Sequence, residues 1–430
     1  MNKPTLNIRL ASWVLSGSLV ASSAVFMGCS REEVEPSNPT AATAAADAKA
    51  DGADVIPGQY IVVLKDGAVE TAPSDSYEEK VKKVKASAQG LLRGRGLSSE
   101  AVGQAYGHVL KGFAAKLTPK EAAELAKDEQ VSYVEADRIV ALVKPVRGPK
   151  SPAPAPTEPA PAPTPTPTPA PTDPSIVYQP VPYGVARVGS GDGTGKTAWV
   201  IDTGIDLNHP DLNVDAARSR SFLTGDASAE DGNGHGTHVA GTIAAKNNTF
   251  GVVGVAANAF VVAVRVLDAS GSGSSSGVIA GIDYVSANGR AGDVANMSLG
   301  GGASQALDDA VLNASNKGIL FALAAGNSSA NAATSSPARV NGPNVFTISA
   351  MDSNDTWASF SNFGNPPIDY CMPGVYINST WINDGYNTIS GTSMATPHMA
   401  GVLLLRGKSF TTSGSVRNDP DGTADQIAHL

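Results

Sequence analysis

The sequence predicts an α/β chain in which a small α+β domain precedes a larger domain built on a mainly parallel sheet. Three observations carry that prediction. Residues 57–142 alternate short β-rich runs with helical patterns. Residues 151–174 then alternate proline with alanine or threonine, and the rest of the chain alternates β-rich runs with glycine-punctuated helical patterns. Strands that alternate with helices are covered on both faces, which is the arrangement of a parallel sheet in a three-layer domain.

In the first unit, residues 58–64 read as a strand. Residues 77–92 repeat Val81, Val84, Ala88 and Leu91 at helical spacing, with lysines on a solvated face. A strand follows at 112–117. Thr118, Pro119 and Glu121 then form an N-cap, a first-turn proline and a capping-box partner. A last strand at 131–135 closes a small sandwich of the ferredoxin-like, split βαβ kind. In the second unit, buried strands are expected at 197–201, 260–266, 294–297, 320–324 and 345–348.

The flanking segments read differently. Lys3 and Arg9 precede an uncharged stretch over 10–27, the pattern of an export signal covering 1–29. Ser16, Gly17, Ser18, Ser22 and Ser23 dilute its apolarity and disfavour a spanning helix. The run from Val25 to Ser30 resembles a bacterial lipoprotein box, with Phe26 where leucine is usual, so Cys29 is a candidate lipid anchor. Residues 30–56 read as a flexible spacer and 143–176 as a stiff Pro-rich linker, with 177–430 as the larger domain. A formal charge of −9 disfavours nucleic-acid binding. The two cysteines are Cys29 and Cys371, so loss or lipidation of the first leaves no intramolecular disulfide.

Residues 190–197 imitate a nucleotide-binding loop. Ser190 replaces its first glycine, and the segment enters a strand where the motif must leave one.

Chemistry concentrates elsewhere. Ser393, within Gly391-Thr392-Ser393-Met394-Ala395-Thr396-Pro397-His398, sits at a loop-to-helix junction, where serines ordinarily serve as caps. Asp202 ends a strand in Asp202-Thr203-Gly204, where open α/β sheets bind ligands. An aspartic protease would need two facing copies of that motif, and one is present. Glycines flank His235 and precede His238 by two residues; a zinc helix would space its histidines by four, with a glutamate between. A proton-shuttling histidine needs a carboxylate on one nitrogen and a nucleophile near the other, which Asp202 and Ser393 supply. Asn327, after a buried strand, offers an amide for an oxyanion.

The order Asp202, His235, Asn327, Ser393, with these local motifs, resembles the subtilisin-like serine proteases, most closely the proteinase K-like branch. That resemblance implies an exported serine endopeptidase and makes 57–142 an inhibitory propeptide that assists folding. It implies that Ser298, Leu299, Gly300, Ala324, Ala325 and Gly326 line the specificity pocket, and that Gly271, Ser272 and Gly273 pair with extended protein or peptide substrates. Ser275 stands where a tyrosine lid is common, which implies an open distal pocket. The resemblance also implies a structural calcium ion at Pro343, Val345 and Asp369, no organic cofactor, a monomer, and a secreted or cell-envelope lipoprotein. Val239 and Phe346 stand where relatives have cysteines, and Cys371 is expected to be a buried, inert thiol. The propeptide cut is expected between Ala141 and Lys144. The short stretch after Ser393 predicts a truncated or irregular last helix and strand.

Overall fold

The computed structural model of the chain describes residues 54–142 and 179–430. The signal segment 1–29 with Cys29, nearly all of the spacer 30–56, and the linker 143–176 lie outside the described residues.

The first unit runs β1 (Val55–Leu64), α1 (Tyr77–Gly94), β2 (Val102–Tyr106), β3 (Gly112–Lys116), α2 (Pro119–Leu125) and β4 (Val131–Leu142). Its strands lie in the order β4-β1-β3-β2, all antiparallel. Both helices begin with capping boxes, Ser76 with Glu79 and Thr118 with Glu121. Each box satisfies two backbone N–H groups that a helix start leaves unpaired. The helices cover one sheet face and bury Val62, Leu64, Val84, Ala88, Leu92, Phe113 and Leu125. Each large aliphatic or aromatic side chain among them contributes about 1.5–3 kcal/mol.

Two features differ from the sequence reading. The strand at 102–106 was not expected, because Gly103 and Gln104 interrupt its apolar pattern. The final strand continues past residue 135 to Leu142, because its second half finds partners outside its own sheet.

The larger unit contains β5 (Thr197–Asp202), α3 (His235–Ala244), β6 (Phe260–Arg265), β7 (Ser272–Ser274), α4 (Ser275–Asn288), β8 (Val294–Met297), β9 (Leu299–Gly302) and α5 (Gln305–Ser315). It continues with β10 (Leu320–Ala324), β11 (Val345–Met351), β12 (Ile368–Pro373), β13 (Ile377–Trp381), β14 (Gly385–Ile389), α6 (Thr392–Arg406), β15 (Thr411–Ser415) and β16 (Gln426–His429). The central sheet follows the order β15-β16-β12-β11-β10-β8-β5-β6 and is parallel from β16 through β6. Side chains of β5 alternate between two cores. Val200 joins Val239, Ile243, Met399 and Leu403 on the α3 and α6 side. Trp199 and Ile201 join Ile279, Ile282, Val311 and Phe321 on the α4 and α5 side. This is a three-layer α/β domain. The segment after α6 forms an antiparallel strand pair whose second member extends the parallel sheet, in place of the irregular end expected. Among the described residues, no helix is long and apolar enough to cross a membrane.

Candidate active site

Asp202 ends β5 and is fully buried. Its carboxylate oxygens lie 2.9 and 3.0 Å from His235 Nδ1. A carboxylate only accepts, so Nδ1 carries the hydrogen and Nε2 is left as the acceptor of the neutral ring. His235 Nε2 is buried without a hydrogen-bond partner among the described residues.

The contact between β5 and α3 needs Gly236. A Cβ there would stand 2.1 Å from the Gly204 carbonyl oxygen. Asp231 organises the turn before α3. It accepts from Thr203 Oγ1, the backbone N–H groups of Asn233, Gly234 and Thr237, and Thr237 Oγ1, at 2.7–3.0 Å. Thr203 Oγ1 in turn accepts from the Gly236 N–H. The loop before the histidine is thereby tied to the strand that bears the aspartate. An aspartate three residues before a helix-opening glycine is the signal for this anchor, and it was not read from the sequence.

His238 is fully buried and its Nε2 lies 3.0 Å from the Ile377 carbonyl. Burial pushes its pKa down to about 3. Its ring is thus committed to the β13 backbone, not to a metal shared with His235.

Ser393 is the second residue of α6 and is fully buried. Its hydroxyl donates to the Ser298 carbonyl at 3.1 Å, and the Ser298 hydroxyl donates to the Ser393 carbonyl at 2.9 Å. Asn296 Nδ2 donates to Ser298 Oγ at 2.9 Å. Asn327 follows β10, and its Oδ1 accepts from both the backbone N–H and the hydroxyl of Thr392 at 2.9 Å. Thr392 therefore fixes which way the amide of Asn327 faces.

The residues expected to bind substrate flank this point. β8 and β10 are parallel neighbours with Met297 opposite Leu323, so Ser298 and Ala324 follow at adjacent strand ends, leading into Leu299–Gly300 and Ala325–Gly326. β4 lies antiparallel between two edges. Ser272 pairs with Ala141 and Gly273 with Val140 on β7, while Leu299 pairs with Leu142 and Gly300 with Ala141 on β9. The Leu142 N–H donates to the Gly271 carbonyl at 2.9 Å. The end of the first unit thus completes a three-stranded antiparallel ribbon that ends next to Ser298.

Three acids that could not be read from the sequence tie the first unit to the larger one. Asp137 accepts from the N–H and hydroxyl of Ser276 at the start of α4. Glu135 accepts from Ser304 Oγ and from the N–H groups of Gln305 and Ala306 at the start of α5. Carboxylates satisfy the unpaired donors and favour the positive end of a helix. Burial nevertheless pushes Glu135 up to about 7. Asp283, within α4, accepts from the N–H groups of Gly107, His108 and Val109.

Two further sets of oxygen donors bear on cation binding. Around Pro343, Val345 and Asp369, the carboxylate accepts from the Thr347 N–H at 2.8 Å, and burial pushes it up to about 6. Lys408 Nζ lies 3.3 Å from the Pro343 carbonyl and 3.0 Å from Asn344 Oδ1, so an ammonium already approaches one expected calcium donor. The second group was not foreseen. Gln179 Nε2 stands within 2.7–3.3 Å of the carbonyls of Lys246, Phe250 and Val252 and of Asn248 Oδ1. Asp211 is held beside them by Asn248 Nδ2 and the Val252 N–H. One amide nitrogen has two hydrogens for four oxygens. Among the described residues no three His, Cys, Asp or Glu side chains converge as a metal cluster, so carbonyl and amide oxygens dominate both sets. Cys371 is free and buried, and burial raises its pKa.

Comparison with known proteins agrees with this geometry. Residues 193–413 match the Subtilase family (Peptidase S8), and residues 59–143 match Peptidase inhibitor I9. The chain is 42% identical to the alkaline serine exoprotease A of Vibrio alginolyticus over 81% of its own length and 60% of that protein's. It is 39% identical to the extracellular serine proteinase of Thermus sp. (strain Rt41A), over 91% of this chain and 88% of that one. A crystal structure of a cold adapted subtilisin-like serine proteinase shares 44% identity and a TM-score of 0.51, covering 57% of this chain and 97% of that one. With a family match across the larger unit and an inhibitor match across the smaller, this chain belongs to the subtilase family of serine proteases and carries an I9 propeptide domain before its protease domain.

Proposed function

We propose that the chain is an exported serine endopeptidase made as a zymogen that cuts itself, then hydrolyses extended protein segments with broad specificity. The observation that carries this reading is β4, paired on both edges and ending next to Ser298, which exchanges hydrogen bonds with Ser393. Added-strand recognition reads backbone, so it favours unfolded or flexible segments.

In the reaction, the Ser393 hydroxyl turns from the Ser298 carbonyl toward His235 Nε2, which takes its proton as Oγ attacks the scissile carbonyl. Asp202 holds the ring's tautomer and stabilises the imidazolium. The Asn327 amide and the Ser393 N–H at the start of α6 stabilise the oxyanion. His235 then protonates the leaving amine, and water repeats the sequence on the acyl-enzyme. The described end of β4 at Leu142, paired with Leu299 next to Ser298, supports a cut between Ala141 and Lys144. That cut leaves the Pro-rich linker on the mature enzyme. The cut propeptide, with its own core, acts as inhibitor and folding aid.

Calcium fits the oxygen set of Asp211, Asn248 and the carbonyls of Lys246, Phe250 and Val252, because hard oxygen donors suit it, and Gln179 would join them once its amide turned its oxygen inward. When bound, the ion supplies positive charge that cross-links these loops. The set at Pro343, Val345 and Asp369 is a second candidate, and an ion there has to displace Lys408.

The test is Ser393→Ala. The purified variant should stay uncut, take no fluorophosphonate label and leave casein intact; full proteolysis by a folded Ser393→Ala protein would sink the proposal. N-terminal sequencing and intact mass of the active wild type read the cut and any lipid on Cys29 together.

A further inference from the structure

The propeptide also touches the protease outside the cleft. Tyr284 lies nine residues along α4 from Ser275, about 14 Å at the rise of an α-helix. There the guanidinium of Arg220 stands 5.3 Å from the ring of Tyr77, 5.8 Å from Phe222 and 5.4 Å from Tyr284. Tyr77 opens α1 of the propeptide, whereas the other three residues belong to the protease. The Tyr77 ring meets Tyr284 edge-on at 5.3 Å and stacks on His108 at 5.8 Å. The N–H of His108, with those of Gly107 and Val109, is held by Asp283, the neighbour of Tyr284. One turn of α4 therefore grips both the first turn of α1 and the hairpin between β2 and β3.

The aromatic contacts outweigh the ion pair. Arg220 lies 3.3 Å from Glu78, but their side chains are 44% and 68% exposed, and such exposed pairs contribute little. A guanidinium within ~6 Å of an aromatic ring face gains more, and this one has three rings.

We propose that Arg220, Phe222 and Tyr284 form a latch for the Tyr77–Glu78 pair, and that this latch sets how long the cut propeptide stays on the enzyme. The proposal rests on the zymogen reading above. Cutting frees the end of β4 but leaves the latch intact, so inhibition outlasts the cut until the latch opens. The ligand chemistry is an aromatic residue followed by an acid at the start of a helix. Loss of the propeptide leaves Arg220 over Phe222 and Tyr284, with the Tyr77 place open.

The experiment uses the full-length precursor and times two events, the cut on a gel and the appearance of activity on a short peptide. Arg220→Ala and Tyr77→Ala should each shorten the lag between them by about tenfold, the size of a partly desolvated cation–π contact. Arg220→Lys should fall between. The rate of the cut and the kcat/KM of the fully released enzyme should stay at wild-type values, which also shows that the variants fold. The double variant should release more slowly than the product of the two single effects, because the Arg220–Tyr77 contact is lost in both. An unchanged lag in both single variants, or fully additive effects, overturns the latch.

A precursor that never cuts would instead defeat the zymogen reading, and the latch then has its own readout. In the Ser393→Ala precursor, Arg220→Ala should speed amide exchange at 77–80 and 107–109 at least tenfold while leaving 139–142 protected. Equal exchange in the two proteins overturns it.

Discussion

Ser298 and Ser393 exchange hydrogen bonds, each hydroxyl donating to the other's carbonyl. The cause lies four residues on. Pro397 sits inside α6 and has no N–H, so the Ser393 carbonyl lacks its regular helical donor. The Ser298 hydroxyl supplies that donor, and Asn296 supports it from the far side. A buried carbonyl that a proline would strand is thus satisfied by Ser298, which ties the backbone of the proposed nucleophile to the end of β8.

Ser298→Ala removes this donor and leaves the Ser393 carbonyl buried and unpaired. The cost is about 1–3 kcal/mol, which lowers the melting temperature by a few degrees. Turnover should fall about tenfold with KM changed less, because the Ser298 carbonyl remains for substrate while the serine loses its fixed position. Steady-state kinetics with a short peptide and a thermal melt check both effects.

Thr392 gives Asn327 its orientation through two hydrogen bonds to one oxygen. Thr392→Val removes the hydroxyl, keeps the backbone N–H and preserves shape. The hydroxyl also accepts from the Gly326 N–H, so two bonds are lost; the one to Asn327, about 1 kcal/mol, should lower kcat about fivefold with KM changed less. A KM effect larger than the kcat effect would show that Asn327 serves ground-state binding.

Legibility in the sequence followed the range of the interactions. Asp202, His235, Asn327 and Ser393 each sit in a local motif whose glycines mark a tight approach, so their types and order could be read. The structure brings Asp202 to His235 and sets Asn327 against the residue before Ser393. The second half of β4 could not be read, because its partners Ser272–Ser274 and Leu299–Gly302 lie far along the chain. Glu135 and Asp137 look like the solvated residues of an alternating strand, and only the helix starts of α4 and α5 give them a role. The oxygen set at Gln179 joins residues from three separate segments, three of its donors being the backbone carbonyls of Lys246, Phe250 and Val252, which carry no sequence signature.

Propeptide release should depend on pH. Burial holds Glu135 at about 7, above its ordinary value of 4.5. A carboxyl raised in the docked state favours docking fully below about pH 4.5, and that gain is lost as pH rises through 7. Burial raises Asp137 and Asp283 in the same sense. His108 opposes them. Burial, with Lys80, Lys317 and Lys111 nearby, lowers it to about 4, so docking weakens as pH falls from 6.5 toward 4. The lag between cut and activity should therefore be longest near mildly acidic pH and at least tenfold shorter above about pH 8. Glu135→Gln should flatten the alkaline limb; equal lags at pH ~5.5 and ~8.5 in the wild type would refute this assignment.

Chelation should lower stability without touching the chemistry directly. Stripping calcium from loops tied by Gln179, Asp211 and Asn248 should lower the melting temperature by several degrees, restored by added calcium. Asp211→Asn should melt lower in calcium and respond less to chelator. Lys408→Ala should increase the calcium response, because it frees the Pro343 carbonyl. A wild-type melt indifferent to chelator would remove both sites.

Gly236→Ala tests how closely α3 must approach β5. The added Cβ would stand 2.1 Å from the Gly204 carbonyl oxygen and 3.2 Å from the Asp202 Cβ. Backbone cannot yield as a flexible side chain would, so the helix start must move away from the strand. That movement stretches the His235–Asp202 hydrogen bonds and the Thr203–Gly236 bond together. A displacement of about 1 Å at a catalytic group costs on the order of a hundredfold in rate. We expect kcat/KM to fall by at least that factor, with a stability loss of about 1–3 kcal/mol from overpacking. Gly241→Ala is the matched control: it also crowds α3, but against the hydroxyls of Ser379 and Thr380. It should lose stability while keeping most of its turnover. Equal turnover losses in the two variants would mean that helix stability, not the approach to Asp202, governs the rate.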